Sequence, residues 1–267
     1  MFKAEQKKLW YYARHGKAAY IKEFGSKVTR DKSDWFPNCY YAVDGTKLDW
    51  VHYKEGAQYN MGADLKINVV FDVYSEKIIG YDVGTEFENY TQHFKVFKQA
   101  IETSRKKPLL LTYDGQGGHI TSVMQELYDE LISQNGQHYK HRSREHGSPV
   151  EQMFMRFQKQ HVNKVWFSDK QAVNVRTEDS KPNTDFIKRF RHKLKSIEEC
   201  KELFAQFVEQ WNESKHPKFQ QSRNQVYQHE MKVDLDDVTE LDMMRLFWVT
   251  SKEPIEYRRD GIKPEIR

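Results

Sequence analysis

The sequence is poor in cysteine, and this alone removes several classes of protein. Only Cys39 and Cys200 occur in 267 residues, and they lie far apart with no spacing typical of metal ligands. A secreted fold held together by a disulfide framework is therefore excluded. A zinc site built on paired cysteines is excluded for the same reason.

Long hydrophobic runs and a strong excess of one charge are absent as well. No apolar run approaches the ~20 residues needed to cross a bilayer, and the chain does not open on a basic segment followed by an apolar one. Lys and Arg number 43 against 39 Asp and Glu, which gives a formal net charge of +4. The composition predicts a cytoplasmic protein without membrane contacts, large enough for one sizeable domain with appended pieces.

Three acidic residues stand in recognisable local contexts. Asp44 lies within an apolar, strand-like segment, Asp114 ends another and precedes a Gly-rich stretch, and Glu151 opens a helical pattern. Each also has a structural interpretation. Asp44 precedes a glycine, and Asp-Gly is typical of hairpin turns; Asp114 could end its strand in an ordinary turn; Ser148 and Glu151 have the spacing of a capping box. Taken singly, these contexts leave both interpretations open.

The segments around these acids predict alternating strands and helices. Two β-rich runs, 68–74 and 78–83, are separated by three polar residues, which is typical of a hairpin. Apolar residues three and four positions apart predict helices over 90–107 and about 122–133. A short strand is expected near His138. The pattern is that of an α/β domain.

Together, the acids and these elements resemble the catalytic core of DDE transposases and retroviral integrases, and are most similar to bacteriophage Mu-like transposases. The resemblance implies an RNase H-like domain over residues 38–165, with a five-stranded mixed sheet flanked by helices. It also implies that Asp44, Asp114 and Glu151 are catalytic and bind two Mg²⁺ or Mn²⁺ ions. Oxygen ligands suffice for this chemistry, because two hard cations about 4 Å apart can stabilise both the attacking and the leaving oxygen of a phosphodiester.

Two groups of polar residues are candidate DNA contacts. The first lies beside Glu151 on the helix predicted over 148–162, where the family places DNA: Gln152, Arg156 and Lys159. The second belongs to a basic run interrupted by an aromatic residue: Lys188, Arg189 and Arg191. Phosphate binding depends on such clusters more than on net charge. The alternative in each case is a solvated helix surface.

Other polar residues near the predicted site are interpreted as structural. His119 and His146 fall in polar loops and are expected at the surface. Asp72 and Asp82 fall at the ends of the predicted hairpin strands, where acids are usually solvated. No catalytic role is assigned to them.

The remaining segments are predicted to be additions to the core. Residues 1–37 form a helical or irregular lead-in, with a short amphipathic helix ending near Gly16. Residues 166–230 form a helical extension, whose main helix opens with a capping box at Ser196. Residues 231–267, with a first strand at Phe247, resemble the start of the small β module that follows the core in Mu-like transposases. Because this module is incomplete, the chain is expected to be a fragment.

The resemblance implies a transposase that nicks transposon ends and transfers the strands into target DNA. Its expected partners are DNA and further copies of the same chain assembled on DNA, and its expected origin is bacterial or phage. Two alternatives remain: a nuclease of the same fold that hydrolyses without joining, and a catalytically silent, transposase-derived DNA-binding protein. The acids do not distinguish the transposase from the nuclease, because water and a 3′ hydroxyl can both be activated by the same ions.

Overall fold

The computed structural model describes residues 6–24, 33–53, 61–85, 90–115, 118–140, 149–168 and 184–248. The chain divides into two compact units, Met1–Asp34 and Trp35–Arg267. Each unit is described by itself. Within the described ranges, no helix has both the length and the apolar character needed to cross a membrane.

The first unit contains α1 (Lys7–Phe24), which is broken at Gly16. Lys7 Nζ lies 2.8 Å from Glu23 Oε1, although sixteen residues of straight helix would separate them by about 24 Å. The two halves therefore fold back on each other. The first helical segment ends near Gly16, as predicted, and a second helical segment, which was not predicted, follows it to Phe24. Gly16 has a φ of +77°, which glycine adopts without strain, and it serves as the turn between two helical segments.

The second unit holds the sheet and the remaining helices. In the part that the structure describes, the strands are β1 (Tyr40–Lys47), β2 (His52–Tyr53), β3 (Met61–Gly62), β4 (Lys66–Asp72), β5 (Ile78–Gly84), β6 (Leu110–Tyr113) and β7 (Gln137–Lys140). The helices of this part are α2 (Tyr90–Ser104), α3 (Ser122–Leu131), α4 (Pro149–Gln160), α5 (Thr184–Arg189), α6 (Ile197–Glu213), α7 (Arg223–Tyr227) and α8 (Glu240–Leu246).

Five of these strands form one mixed sheet in the order β5-β4-β1-β6-β7. Strands β5, β4 and β1 pair antiparallel, whereas β6 pairs parallel with both β1 and β7. The predicted hairpin is β4 and β5, and the predicted strand near His138 is β7. The predicted fold class, a five-stranded mixed sheet flanked by helices in the RNase H-like arrangement, is confirmed.

Side chains on the two faces of the sheet enter two separate cores because they alternate along each strand. On one face, Ala42 and Phe71 pack with residues of α4 and α6, including Phe157 and Phe204. On the other face, the core contains Val43 together with side chains of α2, α3 and α8. The sheet is thus covered on both sides, and α4 lies on the face to which the even-numbered residues of β1 point.

The helical extension packs onto the same sheet. Ser196 opens α6 with the predicted capping box, and the buried stripe of α6 belongs to the first core. At the far end of α6, the Asn212 side chain accepts a hydrogen bond from Ile78 N and donates one to Ile78 O, at 2.9 and 3.0 Å. Asn212 thereby satisfies the edge of β5 as a neighbouring strand would. Extension and core form one compact unit.

The first strand of the expected β module does not form at Phe247. This residue is the C-cap of α8, and its N–H donates to Met243 O. The capping box formed by Thr239 and Asp242 favours a helix at this point. The rest of the expected module lies outside the described residues.

The expectation that Asp72 is solvated was wrong, because the residue is buried. Its carboxylate accepts hydrogen bonds from Asn38 N at 2.9 Å, from Ser75 N at 2.9 Å and from Ser75 Oγ at 2.5 Å, and the residue is 0% exposed. The turn after β4 closes over the acid, because those donors come from the turn itself and from the segment before β1. Burial raises the pKa of Asp72 to about 6, although these hydrogen bonds oppose the shift.

Candidate active site

Asp44 and Asp114 lie at neighbouring positions on adjacent strands. β1 and β6 are parallel, with Tyr40 opposite Leu110 and Ala42 opposite Thr112. Continuing this register by two residues aligns Asp44, within β1, with Asp114, the first residue after β6. Residues in register on parallel strands point to the same face of the sheet. Extended in this way, the backbone pairing puts the two residues at the same level of the sheet, and both are half-buried.

That face is the one covered by α4. Asp44 pairs with Val69 of β4, and Val69 belongs to the same core as Val150 and Phe154 of α4. Glu151 lies in the first turn of this helix and is exposed. An acidic residue at a helix N-terminus is favoured by the helix dipole. The expected capping partner of Glu151, Ser148, lies outside the described residues.

The three acids have the donor chemistry of a magnesium or manganese site. Carboxylates are ligands that these cations prefer, and two or three are enough because the ions keep water and bind substrate oxygens. Within the described ranges, no group of three or more His, Cys, Asp or Glu side chains is placed to hold a metal ion. Asp44, Asp114 and Glu151 all lie within those ranges, so the structure does not bring the three acids together as such a group. Shared metal binding by Asp44, Asp114 and Glu151 stays a prediction.

His119 lies beside Asp114 and is fully buried. Its Nε2 is 3.7 Å from Asp114 Oδ1, and its Nδ1 is 2.5 Å from the Tyr128 hydroxyl. The ring stacks on His93, with 3.6 Å between the centroids. Burial lowers the pKa of His119 to about 2 and that of His93 to about 4, so both rings are neutral near pH 7. The expectation of a surface position for His119 was wrong, because the start of α3 folds this loop residue against Tyr128.

Lys140 is a cation near Asp114 that the sequence analysis did not identify. It ends β7 opposite Tyr113 and is exposed. A β-carbon at Gly115 would lie 2.5 Å from Lys140 Cε and 2.9 Å from its Nζ. The Lys140 ammonium group therefore lies over the glycine that follows Asp114. Parallel pairing of the predicted strand near His138 with β6 would have indicated this position.

The candidate DNA contacts on α4 differ in their surroundings. Gln152 and Lys159 are exposed. Arg156 instead forms an ion pair with the buried Glu76, at 2.5 Å, and Glu76 also pairs with Arg223 at 3.3 Å. The structure thus gives Arg156 an internal partner; a contact of Arg156 with DNA stays a prediction.

The second group of candidates lies on α5 and the turn that follows. All three of its members are exposed: Lys188, Arg189 and Arg191. Arg189 and Lys193 lie over the ring of Phe190, at 5.9 and 5.7 Å from its centroid. The aromatic residue in the basic run therefore orders two of the cations by cation–π contacts. His146, the other histidine considered above, lies outside the described residues.

No family model matches the chain, and no curated protein matches it by sequence. Among solved structures, it is similar to the HTLV-2 integrase catalytic core domain in complex with magnesium. The dimeric form gives 14% identity and a TM-score of 0.43, with 73% of this chain and 99% of that chain covered. The trimeric form gives 15% and 0.44, with 72% and 98% covered.

The chain is also similar to a simian T-cell lymphotropic virus intasome in complex with a PP2A regulatory subunit. Here the identity is 12% and the TM-score 0.48, with 96% of this chain and 86% of that chain covered. These scores are too low to transfer a property of those proteins to this chain.

Proposed function

We propose that this chain is a DDE-type DNA transposase, which nicks the ends of a mobile element and joins them to target DNA. The observation that carries the proposal is the register of β1 and β6, which aligns Asp44 with Asp114 on an RNase H-like sheet. The third acid, Glu151, opens the helix that packs on the Asp44 face.

In this proposal Asp44, Asp114 and Glu151 bind two Mg²⁺ or Mn²⁺ ions. When bound, these ions supply activation of the attacking oxygen and stabilisation of the leaving oxygen. The role of the chain is to hold the ligands rigidly: Asp44 by pairing on both sides of β1, Asp114 at the end of a buried strand, and Glu151 on a helix fixed by its apolar face. In nicking, water would attack the phosphodiester at the element end, and the P–O bond to the 3′ oxygen would break to free a 3′ hydroxyl. In joining, this 3′ hydroxyl would attack a target phosphodiester and displace the 3′ oxygen of the target strand.

DNA would be bound by the exposed polar and basic residues around these acids. Gln152 and Lys159 lie on the same helix as Glu151, and the Lys140 side chain lies over Gly115, the residue after Asp114. The basic surface of α5 adds Lys188, Arg189 and Arg191. Such contacts neutralise phosphates and make affinity depend on salt. Several copies of the chain assembled on DNA would bring two element ends together.

Strand joining tests the proposal directly. Pre-cut oligonucleotide duplexes of varied terminal sequence are incubated with supercoiled plasmid and Mg²⁺ or Mn²⁺, and joined and hydrolysed products are sequenced. Asp44→Asn, Asp114→Asn and Glu151→Gln are each expected to lower nicking and joining by more than about 100-fold, because each removes a charge used in the transition state. Circular dichroism should remain that of the unchanged protein.

Asp82→Asn is the matched control, since Asp82 is a half-exposed strand acid of β5 and not one of the proposed ligands. It is expected to retain activity. If only hydrolysed products and no joined products form, the chain is a nuclease and not a transposase. Activity retained in Asp114→Asn would refute the proposed site.

A further inference from the structure

We propose that His119 is a positioning residue for the Asp114 carboxylate, and that the Tyr128 hydroxyl fixes His119 in the state that can donate to it. This inference rests on the proposed function of Asp114. It assigns a role to two buried residues outside the set of three acids.

The direction of the hydrogen bonds follows from the surroundings of the ring. A neutral imidazole has one N–H donor and one acceptor nitrogen. When the Tyr128 hydroxyl donates to Nδ1, the ring proton lies on Nε2, the nitrogen that faces Asp114. His119 Nε2 is buried and has no hydrogen-bond partner in the described part of the chain. A buried N–H without a partner costs about 1–3 kcal/mol, so a carboxylate oxygen that moves towards it is stabilised.

The separation of 3.7 Å between His119 Nε2 and Asp114 Oδ1 is longer than a hydrogen bond. Hydrogen bonds in active sites are often long without ligands and shorten when the site is filled. A change of under about 1 Å is enough here. The His119 ring is held by its packing, so the adjustment would be made by the Asp114 carboxylate, one residue beyond β6.

The ring of His119 is held from several sides. It stacks on His93, and the Tyr113 ring lies 5.4 Å from it, centroid to centroid. Gln125 Nε2 donates to the His119 carbonyl at 2.7 Å, which fixes the backbone. Rotation of the imidazole would break the Tyr128 bond and the stack together. His119 is therefore a rigid donor beside Asp114.

In this arrangement His119 orients the proposed metal ligand Asp114 by a hydrogen bond and does not itself bind the metal. Loss of such a partner typically weakens metal binding about 10–100-fold while leaving the ligands themselves in place. The expected signature is therefore a change in metal affinity with little change in fold, and activity that recovers when metal is raised.

Mn²⁺ binding to the intact chain, measured by electron paramagnetic resonance, tests the proposal. His119→Leu, which keeps apolar bulk without a donor, is expected to weaken Mn²⁺ binding about 10–100-fold. His119→Gln can place an amide N–H near the position of Nε2 and should restore most of the affinity. Tyr128→Phe should weaken binding in the same direction by a smaller factor, because Nδ1 loses the hydroxyl that fixes the proton.

His93→Phe is the matched control. It keeps an aromatic ring against His119 and removes an imidazole whose two nitrogens have no hydrogen-bond partner among the described residues, so Mn²⁺ affinity should not change. Equal losses in His119→Leu and His119→Gln would overturn the proposal. If His119→Leu fails to fold, Tyr128→Phe, which removes a single oxygen, decides: unchanged Mn²⁺ affinity in it overturns the role of the Tyr128–His119 pair.

Asp114→Asn in the same titration separates the two proposals. If it loses Mn²⁺ binding while His119→Leu keeps it, the positioning role is wrong and the proposed site stands. If Asp114→Asn itself binds Mn²⁺ normally, the proposed site fails and the role of His119 fails with it.

Discussion

The pKa of the Asp72 carboxyl depends strongly on its burial by the turn after β4. Its pKa is raised by burial to about 6 from an ordinary 3.8, so the native state holds a proton that the unfolded chain has already lost between those values. A group with a raised pKa contributes stability at low pH, and the contribution is lost as the pH rises through the folded value. The shift of about two units corresponds to about 3 kcal/mol.

We therefore expect the free energy of unfolding of the unchanged protein to fall by about 2 kcal/mol between pH 4 and pH 7, relative to Asp72→Asn, because at pH 4 the unfolded carboxyl has already lost part of its protons. Urea unfolding at a series of pH values measures this difference. Asp82→Asn, a half-exposed acid on the partner strand, should follow the pH profile of the unchanged protein. Parallel curves for Asp72→Asn and the unchanged protein would contradict the effect.

Sequence reasoning reached some single residues and missed others. Asp44 and Asp114 could be placed because a strand pattern fixes where its own residues lie. The burial of Asp72 and of His119 could not be predicted, because it depends on loops that close over them. Lys140 was missed because its position beside Gly115 follows from pairing between two strands rather than from either strand alone.

Gly80 lies where β5 and α2 pack against each other too closely to leave room for a side chain. A β-carbon at Gly80 would lie 2.3 Å from Val96 O and 3.0 Å from Ala100 N, both backbone atoms of α2. Backbone atoms of a packed helix cannot move aside without shifting the helix. The glycine is therefore required by helix packing.

Gly80→Ala is expected to lower the free energy of unfolding by about 3 kcal/mol, the upper end for overpacking. Chemical denaturation measures the change. Gly115→Ala is a control with a similar nominal overlap, but its neighbour is the flexible end of Lys140, so a change within about 0.5 kcal/mol is expected. Equal effects of the two substitutions would show that the approach of α2 is not the cause.

The five strands of the sheet and the helices α2, α3, α4 and α6 were predicted, whereas the shortest elements were not. Apolar spacing identified α2, α3, α4 and α6, because each presents one continuous stripe to a core. The strands β2 and β3 have two residues each, and α7 has five, too few for a period to be visible. α8 was missed because the aromatic residues that follow it suggested a strand.

The link between the helical extension and the sheet is centred on Glu76, in the turn between β4 and β5. The Glu76 carboxylate pairs with Arg156 of α4 and with Arg223 of α7, and its carbonyl accepts a hydrogen bond from Trp211 of α6 at 2.8 Å. Arg223 is buried, stacks on Trp211 at 3.4 Å and donates to Ser214 at the end of α6. One turn thus joins three helices.

Glu76→Gln leaves two guanidinium groups without their counter-charge. Removing one partner of a buried ion pair costs about 3–5 kcal/mol, and we expect about 3 because the Arg156 side chain is 32% exposed. Urea unfolding followed by tryptophan fluorescence, which includes Trp211, measures the loss. Glu198→Gln breaks an exposed pair with Lys201 and should cost less than about 1 kcal/mol; a similar cost in both variants would contradict the central role of Glu76.

This link could not be predicted from the sequence. Glu76 and Arg223 are 147 positions apart, and no local pattern relates them. The resemblance supplied the mixed sheet and the acids, whereas the attachment of α6 and α7 follows from contacts that only a folded chain reveals.

The parallel pairing of β1 with β6 has a further consequence for how this chain can vary. The level of Asp44 and Asp114 along the sheet follows from the main-chain pairing of β1 with β6, so it does not depend on the length of the segment between Lys140 and Pro149. Insertions in that segment leave the two residues at the same level. A single residue added inside β6 would turn Asp114 to the opposite side of the sheet.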